Sequence, residues 1–242
     1  MTTPGQTVRV LSWNLERKRP ESPLGKTGVE HLASYGPDVM VLTEVRTTFP
    51  VGDGHALWCE PPRSSVFDDK ERKVMIWSKQ PWRLVDRIGI DGLDQRRFIS
   101  ATTDTPIGPV RVLGVCIPWH MAEVTHPIDV KRKPWELHIR YLTLLHELLA
   151  ASDMPTIVAG DFNQRTPRVK GGNKAASEVL NETFADFDIV TQGQLEGGTR
   201  PGIDHIALSS QLRSTNTWAW PNVVNGQRLS DHEGAGADLV LP

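Results

Sequence analysis

The chain has 242 residues, 38% of them hydrophobic and 23% charged, with a formal net charge of −2. That mixture suits a large soluble core. It excludes a globally basic nucleic-acid binder, and no apolar run approaches the roughly 20 residues a membrane-spanning helix needs.

In chain order, short apolar and β-branched runs predict strands at VRVLSW (8–13), DVMVLTEV (38–45), KVMIWS (73–78), RFISATT (97–103), VRVLGVCI (110–117), TIVAGD (156–161), IDHIALS (203–209) and ADLVL (237–241). Gly, Pro, Asp or Asn bounds each run, which is the strand-and-turn signature. Helices are expected at GVEHLASYG (28–36), at PWELHIRYLTLLHELLA (134–150) and at NKAASEVLNETF (173–184). In the long helix Pro134 suits the first turn, and Leu137, Tyr141, Leu144, Leu145 and Leu148 share one face. His138 and His146 are expected at its surface or boundary. No repeat or linker divides the chain. The expectation is one domain over residues 1–242, of class α+β: two packed sheets flanked by helices. Cys59 and Cys116 are too few for a disulfide framework or a zinc site. With no basic leader ahead of an apolar stretch, the expected compartment is the cytoplasm.

Polar residues where strands end are candidates for function. VLSWN contributes Asn14, VLTEV Glu44, IVAGDFN Asp161 and Asn163, and IDHIALS Asp204, while Asp231 and His232 precede the last strand. This oxygen-rich set lacks a cysteine or histidine cluster and suits a hard cation, magnesium or manganese. Glu44 interrupts a run that would otherwise be apolar, and a buried carboxylate requires a partner. His232 with a carboxylate partner, for which Asp204 is the candidate, suits a base or an electrostatic stabiliser. Asp231 is expected to point away from His232. Asn14 as a turn residue and Asp161 as a turn or helix cap are the structural alternatives.

Taken in order, SWN, LTEV, GDFN, IDHI and SDH resemble the endonuclease/exonuclease/phosphatase superfamily, with the likeness running from Ser12 to His232. The resemblance implies a four-layered α/β/β/α sandwich of two mixed sheets, with a divalent-metal phosphohydrolase site at one end. By matched motif, Glu44 is the principal metal ligand, with Asn14 and Asp231 beside it. Asp161 orients or activates water, Asn163 binds a phosphate oxygen, and Asp204 pairs with His232. Members carry a histidine or tyrosine after the middle strand, but this chain reads RVLGVCIPWH there. Cys116 falls in that place. The expectation is that His120 reaches back into the site, the alternative that a water or an arginine substitutes.

In-line attack of water on phosphorus is the implied reaction, with Mg2+ or Mn2+ as cofactor. Arg165, at the head of a basic loop, and Trp119 are candidate substrate contacts; Trp13 and Trp82 also lie near strand ends. A phosphodiesterase acting on nucleic acid or nucleotides, as a monomer, is ranked first. A phosphatase or phospholipid phosphodiesterase comes second, and a catalytically silent binding module of the same fold last. Neither LGKTG (24–28) nor DFNQRTPRVKGG fits a phosphate loop or a calcium loop.

Overall fold

The computed structural model describes residues 6–50, 52–62, 68–125, 130–150 and 153–242. Val8–Asn14 forms β1, Val39–Arg46 β2, His55–Trp58 β3, Glu71–Ser78 β4 and Trp82–Asp86 β5. Phe98–Thr105 is β6, Gly108–Cys116 β7, Thr156–Asp161 β8, Phe187–Ile189 β9, Asp204–Ser209 β10 and Arg213–Trp220 β11. Val223–Val224 (β12) and Gln227–Arg228 (β13) make a small hairpin, and Gly234–Val240 is β14. The helices are Pro23–Ser34 (α1), Glu136–Leu149 (α2) and Lys174–Thr183 (α3).

The strands assemble into two six-stranded mixed sheets with orders β11-β14-β1-β2-β4-β3 and β5-β6-β7-β8-β10-β9. Each has a parallel pair at its centre, β1 with β2 and β7 with β8, and antiparallel neighbours outside. Alternation along the strands divides the core into layers. Val10, Val41, Val74, Ile76, Ile157, Ala159 and Ile206 fill the space between the sheets. Leu11, Trp13, Met40 and Leu42 face the other way, packing with Leu32 of α1. Phe98, Leu113 and Val158 pack with Tyr141, Leu142 and Leu145 of α2 and Leu180 of α3. Each fully buried Val, Leu or Ile contributes roughly 1.5–3 kcal/mol. The result is the expected α/β/β/α sandwich. β1 packs on β8 and β2 on β7 and β8, so the carboxyl ends of all four central strands meet at one end of the inner core.

All eight expected strands form. The additional ones lie at sheet edges or outside the two sheets, and most of their residues are exposed or half-buried, as in β5 and β11. Half-exposed strands carry no apolar run for the sequence to display. Trp218 and Trp220 of β11 lie over Gly236 and Gly234 of β14, where an added Cβ would come within 2.4 and 2.1 Å of the indoles.

Two helices depart from expectation. α1 begins at Pro23, capped by Ser22, whose hydroxyl accepts from the Gly25 N–H, and it absorbs the GKT sequence. Proline at the first helical position with a serine cap is the usual start signal. α2 begins two residues later than expected, leaving Pro134 outside it. Its buried stripe is also rotated: His138, Tyr141, Leu142, Leu145, Leu148 and Leu149 are buried, while Leu137 and Leu144 are only half-buried. His138 is fully buried rather than at the surface, because its two ring nitrogens find Pro118 O at 2.8 Å and Gln164 Oε1 at 2.9 Å. His146 is exposed as expected.

Candidate active site

Asp161 ends β8 on the face toward the opposite sheet. Its neighbour Gly160 has φ +135°, and a Cβ there would sit 1.9 Å from the Val115 carbonyl oxygen, so only glycine lets the chain turn at this point. Directly across the ladder stands Asp204 of β10. Both carboxylates are buried. Asp161 Oδ2 accepts from Asn14 Nδ2 at 3.1 Å and from Asn163 Nδ2 at 2.8 Å, while Oδ1 accepts from the Asn163 N–H at 2.8 Å. The last bond is an Asx turn, so the turn reading and the site reading of this aspartate are both true. Burial, reinforced by Asp204, overcomes these donors and raises Asp161 to about 7.

His232 completes a cluster: its Nδ1 donates to Asp204 Oδ2 at 2.6 Å. The loop carrying it is tied to β1, because Ser230 Oγ donates to Asn14 O at 2.6 Å and accepts from the His232 N–H, and Trp13 Nε1 donates to His232 O at 3.0 Å. Burial opposes protonation of the imidazole, but Asp204 outweighs it and takes His232 up to about 10. Glu233, buried beside it, accepts from the Thr199 N–H and hydroxyl and so fixes the loop before β10. Sequence reasoning missed Ser230 and Glu233. Asp231, expected to point elsewhere, has Oδ1 3.8 Å from His232 Nε2 and is half exposed.

Glu44 sits near the end of β2 with φ +47°, a left-handed value that is strained for a side-chain-bearing residue. The strain re-aims the strand: Leu42 and Val45, three positions apart, both pack in the outer layer, which strict alternation forbids. Lys73 Nζ lies 2.6 Å and Arg17 Nη2 3.0 Å from Glu44 Oε1. Burial opposes ionisation, but the two cations win and hold the carboxyl below its usual range.

At the end of β7 Cys116 is buried, and burial, aided by Asp161, pushes its thiol up to about 12. It therefore packs as an uncharged side chain. Arg97, at the head of β6, donates from Nη1 to the Cys116 carbonyl at 3.1 Å, with Cys116 Sγ at 3.7 Å. Electrostatic attraction also links Arg97 to Glu44. His120 is exposed and packs against Trp119 and Trp135, ring centroids 5.2 and 5.5 Å away, rather than against the Asp161 cluster. An arginine thus stands beside the place where the expectation put His120. Trp119 is 48% exposed. Arg165 is half-buried and donates from Nε to Pro201 O at 3.0 Å. Trp13 is wholly core, and Trp82 pairs with Thr103 toward the opposite end of the sheet, so neither lines the site.

A model of the Endonuclease/Exonuclease/phosphatase family matches residues 11–232. The chain belongs to that family. No curated protein matches it in sequence. Among solved structures it is similar to an AP endonuclease from Archaeoglobus fulgidus, at 14% identity and TM-score 0.69 over 95% of this chain and 98% of that one. A humanized D. rerio TDP2 matches at 15% identity and TM-score 0.71, over 96% and 98%. A Neisseria 3' phosphatase, NExo, bound to a product DNA hairpin, matches at 16% identity and TM-score 0.67, over 95% and 98%. At these identities the likeness is one of fold.

The residues present fit the divalent metal typical of this family. Asp161, Asp204 and His232 bring ligand-capable atoms within 4.8 Å of one another. Burial raises both aspartates, and Asp204 Oδ1 is buried with no hydrogen-bond partner, so the site holds more negative charge than its own donors satisfy. Both cations at Glu44 contact Oε1, leaving Oε2 with no protein partner among the described residues. Asn14 keeps less freedom than expected, since Nδ2 is bonded to Asp161 and Oδ1 accepts from the Glu16 N–H.

Proposed function

We propose that the protein is a magnesium- or manganese-dependent phosphodiesterase acting on nucleic acid or nucleotides, as a monomer in the cytoplasm. The observation that carries this reading is the buried Asp161–Asp204–His232 cluster, at the end of the sandwich where the central strands finish and Glu44 lies near the end of β2. Support for the substrate class comes from two structural neighbours, an AP endonuclease and a 3' phosphatase bound to product DNA.

In this reading Glu44 would hold the cation, with Asp231 and the Asn14 side-chain oxygen as further donors. A divalent ion held there would neutralise charge developing on the phosphate. Asp161 holds the attacking water and takes its proton. Asn14 and Asn163 fix that carboxylate, and both amide hydrogens of Asn163 are engaged in doing so, on Asp161 and on Ile117 O at 2.9 Å. Asn163 therefore positions Asp161 instead of binding phosphate. The His232 imidazolium, steadied by Asp204, donates to a non-bridging oxygen, and Arg97 supplies the second positive contact that Cys116 lacks. Arg165 holds the flanking strand.

A second reading, a phosphatase, is favoured by one observation, the 3' phosphatase among the neighbours. An activity panel with Mg2+ and Mn2+ separates the two: plasmid and abasic-site DNA, RNA, nucleotides, inositol phosphates and sphingomyelin. Replacing Glu44 or His232 by alanine is expected to lower turnover of bis-p-nitrophenyl phosphate at least about a hundredfold, with an unchanged circular dichroism spectrum. Full metal-dependent turnover by either variant would refute the assignment, and no turnover by the unsubstituted chain would favour a silent binding module.

A further inference from the structure

Of the eight tryptophans in the chain, Trp119 is the one among the described residues that is largely exposed. It does not stand alone. Trp119 and His120 meet edge to face with centroids 5.2 Å apart, His120 and Trp135 lie 5.5 Å apart at 33°, and Trp135 meets His138 edge to face at 5.0 Å. Trp135 has φ +69°, left-handed for a bulky residue, and is held there by its N–H donating to His120 O at 2.7 Å. Strain of this kind persists only where the surroundings impose it. The row is rigidly joined to the site. Ile117 O accepts from Asn163, and Pro118 O is bonded to the buried His138. Exposed Lys131 and Lys133 flank it, while Glu123 and Glu136 face Arg132.

An exposed indole next to a phosphate site, backed by further rings and bordered by lysines, matches what an unstacked nucleobase and its backbone require. We propose that Trp119, His120 and Trp135 form a stacking shelf for an unpaired base of single-stranded nucleic acid, adjoining the phosphate under attack, with Lys131 and Lys133 holding the backbone. The proposal rests on the phosphodiesterase reading and narrows it to single strands or frayed ends. An exposed tryptophan beside lysines is also a feature of membrane-surface binding. That alternative is disfavoured because, of the described residues in the patch, only Trp119 and Val130 are large exposed apolar side chains.

The test uses the full chain carrying His232→Ala, which prevents turnover, and fluorescence anisotropy with labelled ten-residue probes: oligo-dT, oligo-U, and a base-free abasic DNA strand. Tight binding of dT and U is expected, with the base-free strand at least about tenfold weaker. Adding Trp119→Ala should weaken dT and U binding by about tenfold or more, and Trp119→Phe should restore most of it. Melting temperature checks that each variant is folded. Equal binding of base-containing and base-free strands, or unchanged binding by the Trp119→Ala protein, would overturn the shelf. So would binding to phosphatidylserine vesicles that is lost with Trp119. Turnover of bis-p-nitrophenyl phosphate by the unsubstituted chain tests the hydrolase reading separately: its absence, with Trp119-dependent binding intact, sinks that reading and leaves the shelf standing.

Discussion

Gly160 decides more at this site than any charged group, because it lets Asp161 end the strand facing inward. Its φ of +135° and the 1.9 Å approach of a would-be Cβ to a backbone oxygen leave no room for adjustment by a side chain. Gly160→Ala is therefore expected to destabilise the protein by at least about 2 kcal/mol, read as a lower urea midpoint with an unchanged slope. Candidate chemistry at this scale was visible as sequence: Glu44, Asp161, Asp204 and His232 are polar residues where an apolar strand ends. What they do to one another was not. The sequence offered His120 for the position beside Cys116, yet Arg97 stands there, nineteen positions earlier in the chain, because β6 and β7 are paired with Phe98 opposite Val115.

Elements were legible in proportion to their burial. The central strands are apolar runs because both of their faces are covered, whereas β5 and β11 escape notice because nearly all of their residues are exposed or only half-buried. Helix α2 illustrates a subtler limit. Its period was plain, but the buried stripe was misplaced, since a histidine counts as polar until Pro118 and Gln164 are seen to satisfy it. Helix α3 has a clear start signal: the Asn173 side chain accepts from the Ala176 N–H at 2.9 Å. Asn173→Ala is expected to cost about 1 kcal/mol, measured by thermal or urea unfolding, with turnover unchanged since α3 lies behind the second sheet.

Across the molecule, buried histidines make stability depend on pH. Burial lowers His205 to about 4, its ring nitrogens lying near Gln164 O and Thr191 O. The unfolded chain, with an ordinary histidine near 6.5, binds the proton more readily between those values. The contribution is therefore complete above pH 6.5 and is lost as pH falls through 4, on the order of 3 kcal/mol in all. His205→Gln should flatten the rise of the urea midpoint across that window; an identical pH profile in both proteins would contradict the assignment. His138, also lowered by burial, acts in the same direction. The order of motifs and the apolar runs determined the sandwich, the family and the end of the strands where chemistry belongs, because those follow from local pattern and from residue type. Only the tertiary structure decided the partners: Asp161 against Asp204, His232 tied to β1 through Ser230, Lys73 on Glu44, and the aromatic row behind Trp119. Those pairings join residues far apart in the chain, and strand register and sheet packing, not local sequence, bring them within hydrogen-bonding reach.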